Sequence, residues 1–329
     1  KRANPHNHYG AGTGSYVSQI TGLSANTTYY VRAYATNSAG TSYGNQAEFK
    51  TLATAPKADH VAVLKNNGGL DNNLFVYTAP VGVQKGTLEG TDWWSGDGNT
   101  VAMAGGDFDG NGVDEIAYLK QAAATDFTLF VYTAPAGAQK GTLIGTDNAS
   151  YDGVPVALTA VDIDGNGTDE IAVLKKAGPT DFNLYIFTAP TGVQKGALKG
   201  GDWWSYDGHS VAIAGGDFDG DRRDEIAVLK QPGVNDFTVQ IFTAPQGIQQ
   251  GTLKGTDKWS ADGNTVAMAG LDSDGDGADE LAILKKAGAT DFNLYVYSAP
   301  VGAQGGRFKG ADWWSCDGQS RKITGVKGL

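Results

Sequence analysis

One segment recurs at a fixed interval. Asp107-Phe-Asp-Gly-Asn-Gly-Val-Asp-Glu-Ile-Ala-Tyr-Leu-Lys120 returns beginning at Asp162, Asp217 and Asp272, 55 residues apart each time. A constant period means one supersecondary unit repeated in space, each copy burying its apolar face against the next. The strand pattern that ends the segment occurs five times, closing at Lys65, Lys120, Lys175, Lys230 and Lys285. A Thr/Ser-Ala-Pro turn also occurs five times, at Pro80, Pro135, Pro190, Pro245 and Pro300. Five periods span residues 55–329.

Each repeat reads as four short strands. In the second copy, Val101–Gly106 is apolar and Gly-rich, which suits an inner strand beside a crowded axis. Glu115–Lys120 reads as a buried strand, Phe127–Thr133 alternates as a half-buried strand should, and Lys140–Ile144 forms a weaker outer strand. Asp-Gly-Asn-Gly, Ala-Thr-Asp and Ala-Pro-Ala-Gly supply the turns between them. No segment carries helical periodicity at useful length. Four antiparallel strands repeated radially make a propeller blade.

The ends of the repeat region complement one another. Arg321–Lys327 aligns with the inner strand Val101–Asp107, and His60–Lys65 aligns with the second strand Glu115–Lys120. The expectation is an all-β, five-bladed propeller over residues 53–329 whose C-terminal strand closes the first blade, leaving no free sheet edge. An open solenoid would not need such complementary partial repeats.

Residues 1–52 stand apart. Ile20-Thr-Gly-Leu23, followed by Thr27-Thr-Tyr29-Tyr-Val-Arg-Ala-Tyr-Ala-Thr-Asn37-Ser-Ala-Gly40, resembles the C-terminal half of a fibronectin type III domain. The resemblance puts Tyr29 at that family's tyrosine corner. Val31, Ala33 and Ala35 alternate with Arg32, Tyr34 and Thr36, as on a strand with one buried face. The first strands of such a sandwich are missing. The chain is therefore read either as a fragment beginning inside a domain, any signal segment lying upstream, or as one completed by another copy or a neighbouring chain.

The aspartate loops carry metal chemistry. With Asp107 as position one, side-chain oxygens follow at Asp109, Asn111 and Glu115, and the Val113 carbonyl falls at position seven. An all-oxygen set of this size favours Ca²⁺, with Gly between the donors permitting the tight turn. The pattern recurs at Asp162, Asp164, Asn166, Thr168 and Glu170, at Asp217, Asp219, Asp221, Arg223 and Glu225, and at Asp272, Asp274, Asp276, Ala278 and Glu280. In the third loop Arg222 replaces a turn glycine, an expected source of strain or weakened affinity. The fifth equivalent is lost, with Leu52, Thr54 and Pro56 on one side and Lys327 at position one on the other. Four Ca²⁺ are expected, and they would move the formal charge from −11 to −3 (−11 + 8).

These loops, followed by Glu-Ile-Ala-Val-Leu, resemble the FG-GAP or VCBS repeat, the integrin-alpha-type propeller unit. The resemblance implies structural calcium in the loop joining the first two strands of each blade. The blade number departs from the seven of integrin propellers, so no integrin-like partner is carried over.

The loop leading into each inner strand also repeats, and strand alternation places it on the opposite face. Asp92-Trp93-Trp94-Ser95 and Asp97 are matched by Asp202-Trp203-Trp204-Ser205 and Asp207, by Asp312-Trp313-Trp314-Ser315 and Asp317, and by variants at Asp147 and Asp257. Trp beside carboxylates suits a sugar, whose apolar face stacks on the ring while its hydroxyls donate to oxygen. Asp and Ser equally suit turn formation. The first Trp position, which accepts Asn148 and Lys258, is expected to face solvent, and the second, apolar throughout, to lie in the core.

Composition narrows the classes. A net charge of −11 argues against nucleic acid. Gly (48) and Pro (10) together stay below the ~25–30% of low-complexity chains. No apolar run approaches the ~20 residues of a membrane helix. Cys316 is the only cysteine, so no intrachain disulfide forms. Three functions stand: an extracellular adhesion module with glycan or matrix partners, a structural spacer of a surface protein or filament, and a polysaccharide-degrading enzyme. The third is weakest, because catalysis needs one asymmetric constellation and the carboxylates here are repeated. Extracellular calcium modules bind at roughly 10⁻⁴–10⁻³ M, which places such loops outside the cytosol.

Overall fold

A computed structural model describes residues 28–50 and 59–328. The chain divides into two units after Pro56. The larger is the expected five-bladed propeller, and the described residues contain no helix.

The second blade orders Thr100–Gly106, Glu115–Ala123, Asp126–Thr133 and Leu143–Asp147 from inside to outside, all antiparallel. The third, fourth and fifth blades follow the same order from Pro155–Val161, Ser210–Gly216 and Thr265–Leu271. The first blade takes Ser320–Val326 as its inner strand, paired antiparallel with His60–Gly68 from Ser320↔Lys65 to Val326↔His60. Chain closure between the two ends of the repeat region is thus an ordinary ladder of backbone hydrogen bonds.

Two details differ from expectation. The outer strand runs Leu143–Asp147 rather than Lys140–Ile144, because the chain first crosses to the neighbouring blade. Gly137–Ala138 pairs there, parallel, with Gly90 and Thr91 of the first blade. Gly192–Val193, Gly247–Ile248 and Gly82–Val83 repeat this tie, and Gly302 bridges Gly255 in the remaining blade. Every blade is therefore stitched to the next around the whole ring.

The core is five apolar wedges, one between each pair of neighbouring blades. The second strands are buried on both faces, as Val61–Leu64 and Ile116–Leu119 show, which explains their unbroken apolar runs. Side-chain volume is exchanged within a wedge. A Cβ on Gly96 would meet Tyr118, whereas at the equivalent places Tyr151 and Tyr206 lie opposite the smaller Val173 and Val228. At the axis the inner strands approach so closely that a Cβ on Gly105 would lie 2.3 Å from the Gly325 carbonyl oxygen. Gly325 meets Gly270, Gly270 meets Gly215 and Gly215 meets Ala160 in the same way, which accounts for the glycine in these strands.

In the smaller unit Thr28–Val31 pairs with Ala47–Lys50, and Tyr34–Asn37 with Gly40–Tyr43. The expected buried face is not found there. Val31, Ala33 and Ala35 are all exposed, and the strand breaks at Arg32 and Ala33. The two ladders are separate two-stranded sheets. Ile20–Leu23 and residues 52–56 lie outside the described residues.

Candidate functional site

The four aspartate loops occupy one face, each between an inner strand and its buried neighbour. Asp107 accepts from the Asn111 and Gly112 amides at 2.9 and 2.7 Å, and the Asn111 side chain accepts from the Val113 amide at 2.8 Å. Asp162, Asp217 and Asp272 accept from the matching amides, and Asn166, Asp221 and Asp276 accept from those of Thr168, Arg223 and Ala278. Each loop is thus wound around its first carboxylate, with Gly110 and Gly112 at φ 75° and 85°. Arg222 takes the second of these places at φ 74°, a left-handed conformation that costs a side chain.

Among the described residues three acidic groups gather ligand atoms within 4.8 Å of one another: Asp107, Asp109 and Glu115; Asp217, Asp219 and Glu225; Asp272, Asp274 and Asp276. The Asp162, Asp164 and Glu170 carboxylates do not meet this closely. Burial, reinforced by Asp109, pushes Glu115 up to about 7, and burial pushes Glu225 to about 7 against the opposing pull of Lys254. Packed carboxylates held this way are relieved by a cation. Two loops already hold one. The Lys254 ammonium pairs with Asp219 and lies 3.1 Å from Glu225. Lys309 lies 2.7 Å from Asp274 and 3.1 Å from Glu280. The donor chemistry and these seated ammonium groups both fit a metal cation, and oxygen donors alone suit a hard one.

The sequence reading missed the residue at loop position eight. Asp169, Asp224 and Asp279 each accept from the amide of the preceding blade's first loop aspartate, at 2.8–2.9 Å. Asp59 does the same to Asp272, and Asp114 accepts from Lys327. These five buried carboxyls ring the axis, and burial raises all of them, Asp59 to about 8 and Asp169 to about 7. Lys327, whose own affinity for its proton is raised chiefly by Asp279, opposes the shift at every one of the five. The Lys327 ammonium itself lies 3.9 Å from Asp279. The recurrence of this Asp in all five repeats was the available signal.

The tryptophan loops lie on the opposite face, as the strand order requires. Here the first tryptophan position faces solvent as expected, whereas the expectation for the second needs revision. The second tryptophans are exposed rather than in the core: Trp94 by 50%, Trp204 by 49%, Trp259 by 62% and Trp314 by 47%. The first ones, Trp93, Trp203 and Trp313, are 43–51% exposed, and each pairs with its neighbour at 6.0–6.2 Å between ring centres. The apolar place beneath belongs instead to Gly96, Tyr151, Tyr206, Ala261 and Cys316, all buried.

Asp92, Asp202 and Asp312 are buried and fully engaged. One oxygen of Asp202 accepts from the Trp204 and Ser205 amides at 2.8 and 3.0 Å, and the other from Gly251 of the next blade at 2.6 Å. Asp92 and Asp312 repeat this. With both oxygens accepting from backbone amides, these three carboxylates hold the loop. Asp97, Asp207 and Asp317 each accept from an amide at the start of a third strand, at 2.9–3.0 Å, and remain partly or fully exposed. Lys65, Lys120, Lys175, Lys230 and Lys285 donate into the loop carbonyls from below. The loop is rigidly built, and its tryptophans project from it.

No family model and no curated protein matches the chain. Among solved structures it is similar to Chaetomium thermophilum Polycomb Repressive Complex 2 bound to GSK126, with 10% identity, a TM-score of 0.35, and 74% of this chain and 54% of that one covered. The apo complex in an autoinhibited state gives 10% identity and a TM-score of 0.35 over 84% and 56% of the two chains. The chain spans about half the length of these chains, and a likeness at this level carries no argument about function.

Proposed function

We propose that this chain is an extracellular binding module of the FG-GAP/VCBS type, stabilised by Ca²⁺ in its aspartate loops and engaging carbohydrate through several equivalent tryptophan loops. The observation that carries the reading is the set of exposed tryptophan pairs repeated around one face on a backbone held by buried Asp and Lys. Exposed indole rings on a fixed frame lose little entropy on stacking against a sugar. Equivalent weak sites on one rigid ring gain affinity through avidity. The aspartates at Asp97, Asp207 and Asp317 would supply the polar contacts. A binding module rather than an enzyme is favoured because the first Asp of the tryptophan loop is committed to backbone amides in every blade. Position on a cell surface or in a matrix accords with calcium affinities of roughly 10⁻⁴–10⁻³ M, and the fibronectin-like segment would join the propeller to a neighbouring domain or chain.

A glycan array at millimolar calcium tests the reading. Binding that is lost when Trp93, Trp203 and Trp313 are changed to Ala is expected. No binding to any glycan would favour the structural spacer. For that role the exposed apolar residue on every outer strand (Leu88, Leu143, Leu198, Leu253 and Phe308) would supply chain-to-chain contacts.

A further inference from the structure

The outer strand of each blade begins on the face that carries the aspartate loops, so its second residue reaches the loop of its own blade. In the fourth and fifth blades that residue is a lysine. Lys254 pairs with Asp219 and Glu225, and Lys309 with Asp274 and Glu280, which are positions three and nine of the ligand sets. In the third blade the same place holds Lys199, whose charge is felt by Glu170 although it makes no ion pair among the described residues. In the second blade the place holds Ile144. No ion pair neutralises Asp107, Asp109 or Glu115 there among the described residues, yet their oxygens converge within 4.8 Å.

We propose that Lys254 and Lys309 are built-in counter-cations that close two loops in the absence of metal and compete with Ca²⁺ for them. The inference rests on the reading of these loops as calcium sites. An ammonium and a divalent cation cannot share the same two carboxylate oxygens. Calcium must therefore displace the lysine, and the lost ion pairs subtract from its affinity. The Asp107 loop carries no such competitor. Loading is consequently ordered: the Asp107 loop fills first, and the Asp217 and Asp272 loops fill at calcium concentrations about tenfold higher, the scale set by two partly exposed ion pairs. The lysines also keep the fourth and fifth blades held when calcium is scarce, so the loss of order on chelation concentrates at the second and third blades.

Calorimetric titration of the full chain with CaCl₂ tests this, using the unmodified protein, the Lys254→Met/Lys309→Met variant and an Ile144→Lys variant. The double variant is expected to tighten two sites about tenfold and to melt lower than the unmodified protein in EDTA, with the deficit restored by calcium. Ile144→Lys is expected to weaken the tightest site by a similar factor, and it remains informative if the double variant does not fold without metal. Calcium binding with the same affinities in all three proteins would overturn the ordering while leaving the calcium reading intact. Absence of calcium binding from all three would overturn both.

Discussion

Arg222 illustrates how one residue departs from its repeat. Gly112, Gly167 and Gly277 occupy the same loop place at φ 83–91°, where glycine meets no penalty. Arg222 adopts φ 74° there because its amide must still reach the Asp217 carboxylate, which it does at 2.8 Å. The loop geometry thus overrides the residue's preference. Arg222→Gly is expected to raise stability by about 1 kcal/mol, the cost of a left-handed side chain less the added freedom of the unfolded glycine. Thermal unfolding of the two proteins at equal calcium measures this, and an equal or lower midpoint for the glycine variant would show that the strain is absent. The replacement was visible in the sequence, since a four-fold repeat exposes any member that breaks pattern. The partnership of Lys254 with the same loop was not, because only the folded blade brings the start of the outer strand to the aspartate loop.

At the scale of elements, the tryptophan loops show where repetition alone stops short. Recurrent Asp and Ser are what a turn requires and also what a sugar site requires, and no spacing separates the two. The folded loop does so through burial. Asp202 binds three amides, two in its own loop and one in the next blade, whereas Asp207 binds one and stays exposed. Removing the first carboxylate strands buried N–H groups, each costing about 1–3 kcal/mol. Asp202→Ala is therefore expected to cost about 3 kcal/mol and Asp207→Ala about 1 kcal/mol in urea unfolding. Equal, small losses would mean that the loop is held by other contacts. The exposed second tryptophans were misread for a related reason. An apolar residue at every copy suggests core, but the core place had passed to the residue two further on, which ranges from Gly96 to Tyr151. The parallel ties such as Gly137–Ala138 left no trace in the pattern, since two residues cannot establish a period.

For the whole molecule, closure was the most legible feature. Partial repeats at the two ends have no use except to complete one another, and Ser320–Val326 does pair with His60–Gly68. A closed ring of similar blades concentrates its weak points where like charges gather, and both such places lie on the loop face. At the axis Lys327 answers five buried carboxyls; in the blades the loop carboxylates remain partly unanswered. Calcium that binds these loops only in the folded ring must stabilise the ring by linkage. At a free concentration tenfold above the dissociation constant, each site contributes about 1.4 kcal/mol. For a domain of this size that is a shift of roughly 3–6 °C per site. Excess EDTA is therefore expected to lower the melting temperature by several degrees, and restored calcium to recover it. Magnesium should recover less, because it demands tight octahedral geometry and gives up water reluctantly. A melting temperature indifferent to chelation would mean that the lysines and backbone amides alone hold the loops, and that the carboxylates serve some purpose other than calcium.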